Sequence, residues 1–540
     1  MPKRRWLVGV SSLLVVGCAK DPRLGPALPP CMASVDSINL AVGAYVAIDP
    51  ASNAGCVTIA ANLSTTDSVE YLLVPQSAAE TFGYSARFLL QTAALAAAPA
   101  LAERVAAPSA LGVAAVQFDG FLRHLARSGS AGVAKLARSA GPSPSATVAP
   151  QPAGPPSVGS LRTFRVCPNL TCAGTFPSVT ARASTVGAHI AIYVDTLAPK
   201  PGLDSADLDT LKQLFDSRLY PLDTATFGAV SDLDANSVVI VLMTGVVNQL
   251  VVDPTCQSFI SGFFFSPDLE ATASTSISNH GEVFYSIVAD SAGTLGCLHS
   301  RAQVKLVLPG VFTHELQHMI NYVQHVVVRK GQAEEGWLDE GLSKYAEELA
   351  GRSYLPGDTA TFLRYVSNNV YDAQQYLSAP GNSPLLIEFD QGTLAEIGAS
   401  WLFVRYLVDQ YGDTLAGKLD QTPLSGAANV AAQTRHPWDT TVTRWALANW
   451  VSDLPGFTAP PELTYTSWRF RAEYPFYPLV PSASAGSAVD RSGRLRSGSG
   501  VYHRAFQGPS EPAYTVLFRS TATTPFPAGL RARLNVLRIR

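Results

Sequence analysis

The chain has 540 residues, 47% hydrophobic and only 15% charged, with a formal net charge of −3 and a pI of about 6.3. That much apolar content can bury a core, so global disorder is excluded, and the near-neutral balance excludes nucleic-acid binding by bulk charge. No heptad run or short-period repeat is visible, which excludes a coiled coil or solenoid.

Residues 1–18 read as an export signal. Lys3, Arg4 and Arg5 precede an apolar stretch from Trp6 to Val16. It is too short to span a bilayer, which takes about 20 apolar residues. It closes on Val15-Val16-Gly17-Cys18, which resembles the bacterial lipobox. The resemblance implies cleavage before Cys18, lipidation of that cysteine and attachment to a membrane through it. Ala19, rather than Asp, follows the cysteine and by the same resemblance implies the outer membrane, on its periplasmic or outer face. Lipidating Cys18 leaves six of the seven cysteines. Sequence order suggests Cys31–Cys56, Cys167–Cys172 and Cys256–Cys297, among 15 pairings open to six cysteines. Disulfides fit an oxidising compartment. No later stretch has the length and apolarity of a membrane helix.

Residues 19–30 form a Pro-rich tether. Over 31–91, short apolar runs at 38–42, 45–48, 56–59, 71–74 and 87–90 alternate with turn residues, which predicts a small β-sandwich domain. Residues 92–157 are rich in Ala, Ser and Pro and predict helical turns within 113–136 followed by a flexible linker. The texture changes over 158–454. Strands are expected at 161–166, 189–194, 237–244 and 282–288, with a helix at 204–215. Helices are then expected at 311–328, 339–349, 358–368, 394–411 and 438–451. A sheet lobe followed by a helical lobe is an α+β order. Residues 455–540 return to short alternating runs and predict a C-terminal β region.

The chemistry is concentrated at His314-Glu315-Leu316-Gln317-His318. On a helix, residues four apart share a face, so both imidazoles can serve one metal ion, with Glu315 beside them to take a proton from water. A bare motif of this kind also arises by chance. The segment Trp337-Leu338-Asp339-Glu340-Gly341-Leu342-Ser343 adds Glu340, 22 residues after His318, as the third ligand, leaving a fourth position open. The predicted site is therefore a zinc site with ligands His314, His318 and Glu340 and with Glu315 as general base.

This arrangement resembles the gluzincins, the zincin branch that includes thermolysin and aminopeptidase N. It is most similar to the hyicolysin family of secreted bacterial metallopeptidases. The likeness is carried by residues 312–322 and 335–343, with weaker support from Phe227-Gly228, Ser231-Asp232-Leu233-Asp234-Ala235-Asn236 and Gly262-Phe263-Phe264. It implies a zincin-like core over about 158–451 and a lipid-anchored zinc endopeptidase acting on protein or peptide substrates. It also implies a downstream Tyr or His that stabilises the oxyanion. The matching segment, Ala395-Glu396-Ile397-Gly398, has no Tyr, and Tyr365, Tyr371, Tyr406 and His436 are the candidates.

Asp339 and Glu347 can hold the outer nitrogens of the ligand histidines; a helix cap and a solvated face are their alternatives. His325 shares the face of His318 but reads as a non-ligand, and Glu334 and Glu335 are rivals to Glu340. Asp232-x-Asp234-x-Asn236 has the start of a calcium loop, but no Glu closes it at the twelfth position, so a turn is expected. The strand at 282–288 is a candidate sheet edge for an extended peptide. The alternative function is a surface binding lipoprotein with a degenerate peptidase fold. An aminopeptidase would need an acidic group for the substrate amine, and nothing upstream of His314 supplies one clearly.

Overall fold

In a computed structural model of the protein, residues 37–93, 113–141 and 154–540 are described, apart from 53, 252, 254, 257, 388–391 and 521–524. The expected signal, Cys18, Cys31, the tether and part of the linker lie outside the described residues. The first strands are β1 (Ser37–Ile38), β2 (Tyr45–Ile48), β3 (Cys56–Ile59), β4 (Val69–Ser77) and β5 (Ser85–Thr92). Helix α1 (Val113–Ala140) follows and is broken at Gly129, whose φ of 54° glycine adopts without a side-chain penalty. The helical turns expected within 113–136 of the 92–157 segment are this longer helix, and it is built into the core. Phe118, Leu122, Leu125, Val133 and Leu136 are buried in one cluster with Phe312, Leu316 and Trp337. The local Ala, Ser and Pro content masked this apolar face.

A mixed six-stranded sheet comes next. Its strands are β6 (Leu161–Arg165), β7 (Ser178–Val186), β8 (Ile190–Asp195), β9 (Val239–Met243), β10 (Gly262–Phe264) and β11 (Val283–Ser286), in the order β10-β11-β9-β8-β7-β6. β8, β9 and β11 run parallel, and β9, an unbroken apolar run buried throughout, is the kind of strand a parallel centre requires. β7 was not anticipated, although its burial alternates residue by residue. The strand expected at 282–288 is β11. It lies inside the sheet between β10 and β9, so the edge beside the helical lobe is β10.

Within the sheet lobe lie α2 (Ser205–Leu214), α3 (Tyr220–Phe227) and α4 (Gly245–Asn248). The helical lobe contains α5 (Arg301–Tyr322), α6 (Gly336–Arg352), α7 (Thr359–Ser378), α8 (Leu394–Tyr411), α9 (Thr414–Asp420), α10 (Gly426–Thr434) and α11 (Trp438–Val451). α5 starts ten residues before its expected start, at a capping box in which Ser300 accepts from Gln303 N and Gln303 accepts from Ser300 N. Pro309-Gly310 mimics a helix start in the sequence, yet Pro309 lies inside α5, half-buried at the wall of a cavity. α6 and α8 meet closely at Gly341, where a Cβ would lie 2.7 Å from Ser400 O.

The chain closes with β12 (Ser482–Ala485), β13 (Asp490–Arg496), β14 (His503–Gln507), β15 (Tyr514–Arg519) and β16 (Ala532–Arg538). These strands do not form a region of their own. They interleave with β1–β5 in two five-stranded sheets, ordered β1-β3-β15-β5-β13 and β12-β14-β4-β16-β2. A separate 31–91 sandwich and a separate 455–540 β region are therefore replaced by one sandwich made from both ends. The reason is pairing: β4 is buried along its whole length because β14 and β16 flank it, with Leu73 opposite both His503 and Val536. The sandwich rests on α11, where Gln76 donates to Val442 O at 3.0 Å and Tyr502 to Ala446 O at 2.8 Å.

The fold is thus α+β. Disulfides link Cys167–Cys172 and Cys256–Cys297, and Cys56 is also disulfide-bonded. Among the described residues no helix is long and apolar enough to cross a membrane.

Candidate metal centre

α5 and α6 pack side by side, and their facing turns bring three ligand-type side chains together. His314 and His318, one turn apart on α5, place their Nε2 atoms 3.1 Å from each other. Glu340, near the start of α6, lies 3.5 Å from His314 Nε2 through Oε2 and 3.4 Å from His318 Nε2 through Oε1. This His-His-Glu group is positioned to hold a metal ion. Glu340 is buried, and its Oε1 accepts no hydrogen bond among the described residues. A buried carboxylate oxygen without a donor is costly unless a cation meets it.

The outer nitrogens are also engaged. His314 Nδ1 is 2.7 Å from Glu347 Oε1, and His318 Nδ1 is 3.0 Å from Asp339 Oδ1 and 2.9 Å from Ser343 Oγ. Carboxylates at Nδ1 favour a proton there, which leaves each Nε2, beside Glu340, as the nitrogen available to a bound cation. Ser343 donates in turn to Gln317 Oε1, and Gln317 and Asn321 both donate to buried Asp420, at 3.1 and 2.6 Å. Charge dominates the titration of the group. Burial works against His314, but its bonds to Glu340 and Glu347 push it up to about 10. Burial works equally against Glu340, yet His318 and His314 hold it well below the usual carboxylate range.

α1 supplies a part that local spacing did not reveal. Arg123, 5% exposed, sets its guanidinium 3.2 Å from Asp339 Oδ2 and so backs the carboxylate that faces His318. Arg127, one turn on, donates to Ala333 O at 2.7 Å. Asp119, one turn before Arg123, looks into the site. Burial, then Glu340 and Glu315, push its carboxyl up to about 7. The one available signal was a row of charged residues four apart, Asp119, Arg123 and Arg127, flanked by the apolar Phe118, Leu122 and Leu125.

Glu315 is anchored to the sheet: its Oε2 accepts from Phe264 N, on edge strand β10, at 2.8 Å. A cavity of about 1020 Å³ opens here, lined among others by Asp119, Ser261, His314, Glu315, Glu340 and Glu347. Of the four oxyanion candidates, only Tyr365 lines it. Its Cβ packs against Gly351, eleven residues past Glu340, or about 16 Å along α6. Tyr406 donates to Glu462 O, Tyr371 is exposed, and His436 packs on Tyr411.

The remaining sequence candidates have other partners. His325 is buried with Nε2 3.9 Å from Glu334 Oε2. Glu334 accepts from Gly426 N and Asn429, and Glu335 from the Trp337 indole. The 232–236 segment is a turn in which Asp232 accepts from Ser237 N and Asn236 from Val238 N. Glu282, not a sequence candidate, joins it, and Asp232, Asp234 and Glu282 draw together beside Arg162.

No protein-family model matches the chain, and a comparison with curated proteins finds no match.

Proposed function

We propose that the protein is an exported zinc endopeptidase with a zincin-like core of the hyicolysin type, held at the outer membrane through a lipid on Cys18. The observation that carries this reading is the convergence of His314, His318 and Glu340 with Glu315 at their side. Ligand atoms about 2.0–2.1 Å from a tetrahedral zinc ion lie about 3.3–3.4 Å apart. The two Nε2 atoms, 3.1 Å apart, come near that figure, and each also has one Glu340 oxygen close to it, Oε2 at 3.5 Å from His314 and Oε1 at 3.4 Å from His318. Two imidazole nitrogens and one carboxylate oxygen are also the donor set of zinc hydrolases, which keep one position open.

Zinc, when bound, supplies Lewis acidity for the scissile carbonyl and makes a water acidic enough to attack it. The chain's own residues do the rest. Asp339 and Glu347 hold the two imidazoles in orientation. Glu315 takes the proton of the attacking water and passes it to the leaving amine. Its bond to Phe264 N fixes that carboxylate against the sheet edge. On edge strand β10, Phe264 is taken by Glu315 and Arg123, and the cavity-lining Gly262 is where an extended peptide would pair.

The test is cleavage of unstructured casein by the zinc-loaded protein and by Glu315→Gln. The variant keeps all three ligands, so zinc content should stay the same while the rate falls by about 10²–10⁴-fold. Equal cleavage by both forms would contradict the assignment of Glu315. Zinc binding without cleavage would favour a binding protein built on a peptidase fold.

A further inference from the structure

The cavity beside the metal centre contains a carboxylate for which the reaction outlined above has no use. Asp119 reaches it from α1, on the row that continues through Arg123 to Arg127. Arg123 and Arg127 are occupied, by Asp339 and by Ala333 O. Among the described residues, no hydrogen-bond donor or salt-bridge partner reaches the carboxyl of Asp119. It does not belong to the ligand group either, since only His314, His318 and Glu340 draw together there. A carboxyl in a substrate-sized cavity, on a fixed helix and with no hydrogen-bond or salt-bridge partner among the described residues, is open to a cation that the substrate can bring.

α1 is also not a plug that must leave. Phe118 packs edge-on to Phe263 of β10 at 5.2 Å, Leu122 and Leu125 are buried in the shared core, and Arg123 supports the residue that faces His318. Removing α1 would strip the metal centre of that support. The helix therefore forms a wall of the working cleft.

We propose that Asp119 is a specificity-determining residue: it receives a cationic group of the substrate, an ammonium or guanidinium, next to the bond to be cut. Two sources supply that chemistry, the free N-terminus of a peptide and the side chain of a Lys or Arg near the scissile bond. The first source would make the enzyme trim chain ends, and the second would make it cut beside basic residues. A neutral competitor would leave the half-buried carboxylate unpaired, which is how a polar pocket discriminates. The rates in this inference rest on the peptidase reading; the binding does not.

The experiment uses zinc-loaded protein and matched fluorogenic peptides that carry Lys or norleucine near the scissile bond, each with a free or an acetylated N-terminus. The parent should prefer one cationic form by about tenfold or more in kcat/KM, and Asp119→Asn should bring that ratio to about one. Loss of the preference on acetylation identifies the terminal amine; loss with norleucine identifies the side chain. No preference in the parent, or a preference that survives in Asp119→Asn, would overturn the proposal. Binding is read separately, by fluorescence anisotropy in the Glu315→Gln background. The cationic peptide should bind about tenfold tighter there than to the protein that also carries Asp119→Asn. Equal binding would overturn the proposal even if no peptide is cut. Tighter binding without cleavage would retain Asp119's role and reject the peptidase reading. Asp119→Ala serves as a second variant, and unchanged melting temperatures show that both fold.

Discussion

His318 and His325 stand seven residues apart on one helical run, and both are almost fully buried, yet their surroundings are opposite. His318 faces Asp339 and Glu340, with Arg123 behind Asp339 to balance the charge. Burial and Arg123 pull its basicity down, but the two carboxylates raise it above the ordinary value. His325 faces Glu334 at 3.9 Å, and both its ring nitrogens lack hydrogen bonds among the described residues. Burial pushes His325 down to about 4 and Glu334 up to about 8, so this pair is neutral near pH 7. Spacing alone put both histidines on one face. What separates them is the pair of carboxylates on α6 that face His318, one of them backed by Arg123 of α1, nearly 200 residues away.

The sharpest way to break this contrast is to remove the balance. Arg123→Ala leaves Asp339 buried beside Glu340 without its cation and should cost about 3–5 kcal/mol in urea unfolding, with weaker zinc binding. Arg127→Ala, which removes a hydrogen bond on a partly exposed side chain, should cost about 1 kcal/mol. Equal losses for the two would show that Arg123 acts only through packing.

A smaller effect sharpens the other half. His325 has its folded pKa lowered from 6.5 to about 4, so between those values the unfolded chain takes up a proton that the folded chain refuses. Its contribution to stability is full above pH 6.5 and is lost as the pH falls toward 4. The melting temperature of the parent should fall relative to that of His325→Leu across that window, whatever slope Glu334 and other groups add to both. Parallel slopes in the two proteins would contradict a neutral, buried His325.

The same distinction explains what could be read in advance. The ligand set was legible because helical spacing is local: His314 and His318 are four residues apart, and Glu340 begins the next helix. Asp339 and Glu347 could be named as neighbours of the ligands, but their alternatives stayed open because only packing shows which ring each one meets. Arg123 and Asp119 were hidden, because a helix in an Ala- and Pro-rich stretch gives no hint of what it packs against. The sandwich was hidden for a related reason. Alternation predicted strands at both ends, but not that Leu73 would sit opposite Val536, more than 400 residues on. Pro309 concealed the start of α5, because a proline inside a helix looks locally like a boundary.

The central claim is that His314, His318 and Glu340 together hold one zinc ion. Native mass spectrometry of the protein and of Glu340→Ala, equilibrated with the same limiting zinc, tests it most directly. The account predicts one zinc ion per chain in the parent and none in the variant. Equal zinc in both, or none in either, would contradict it.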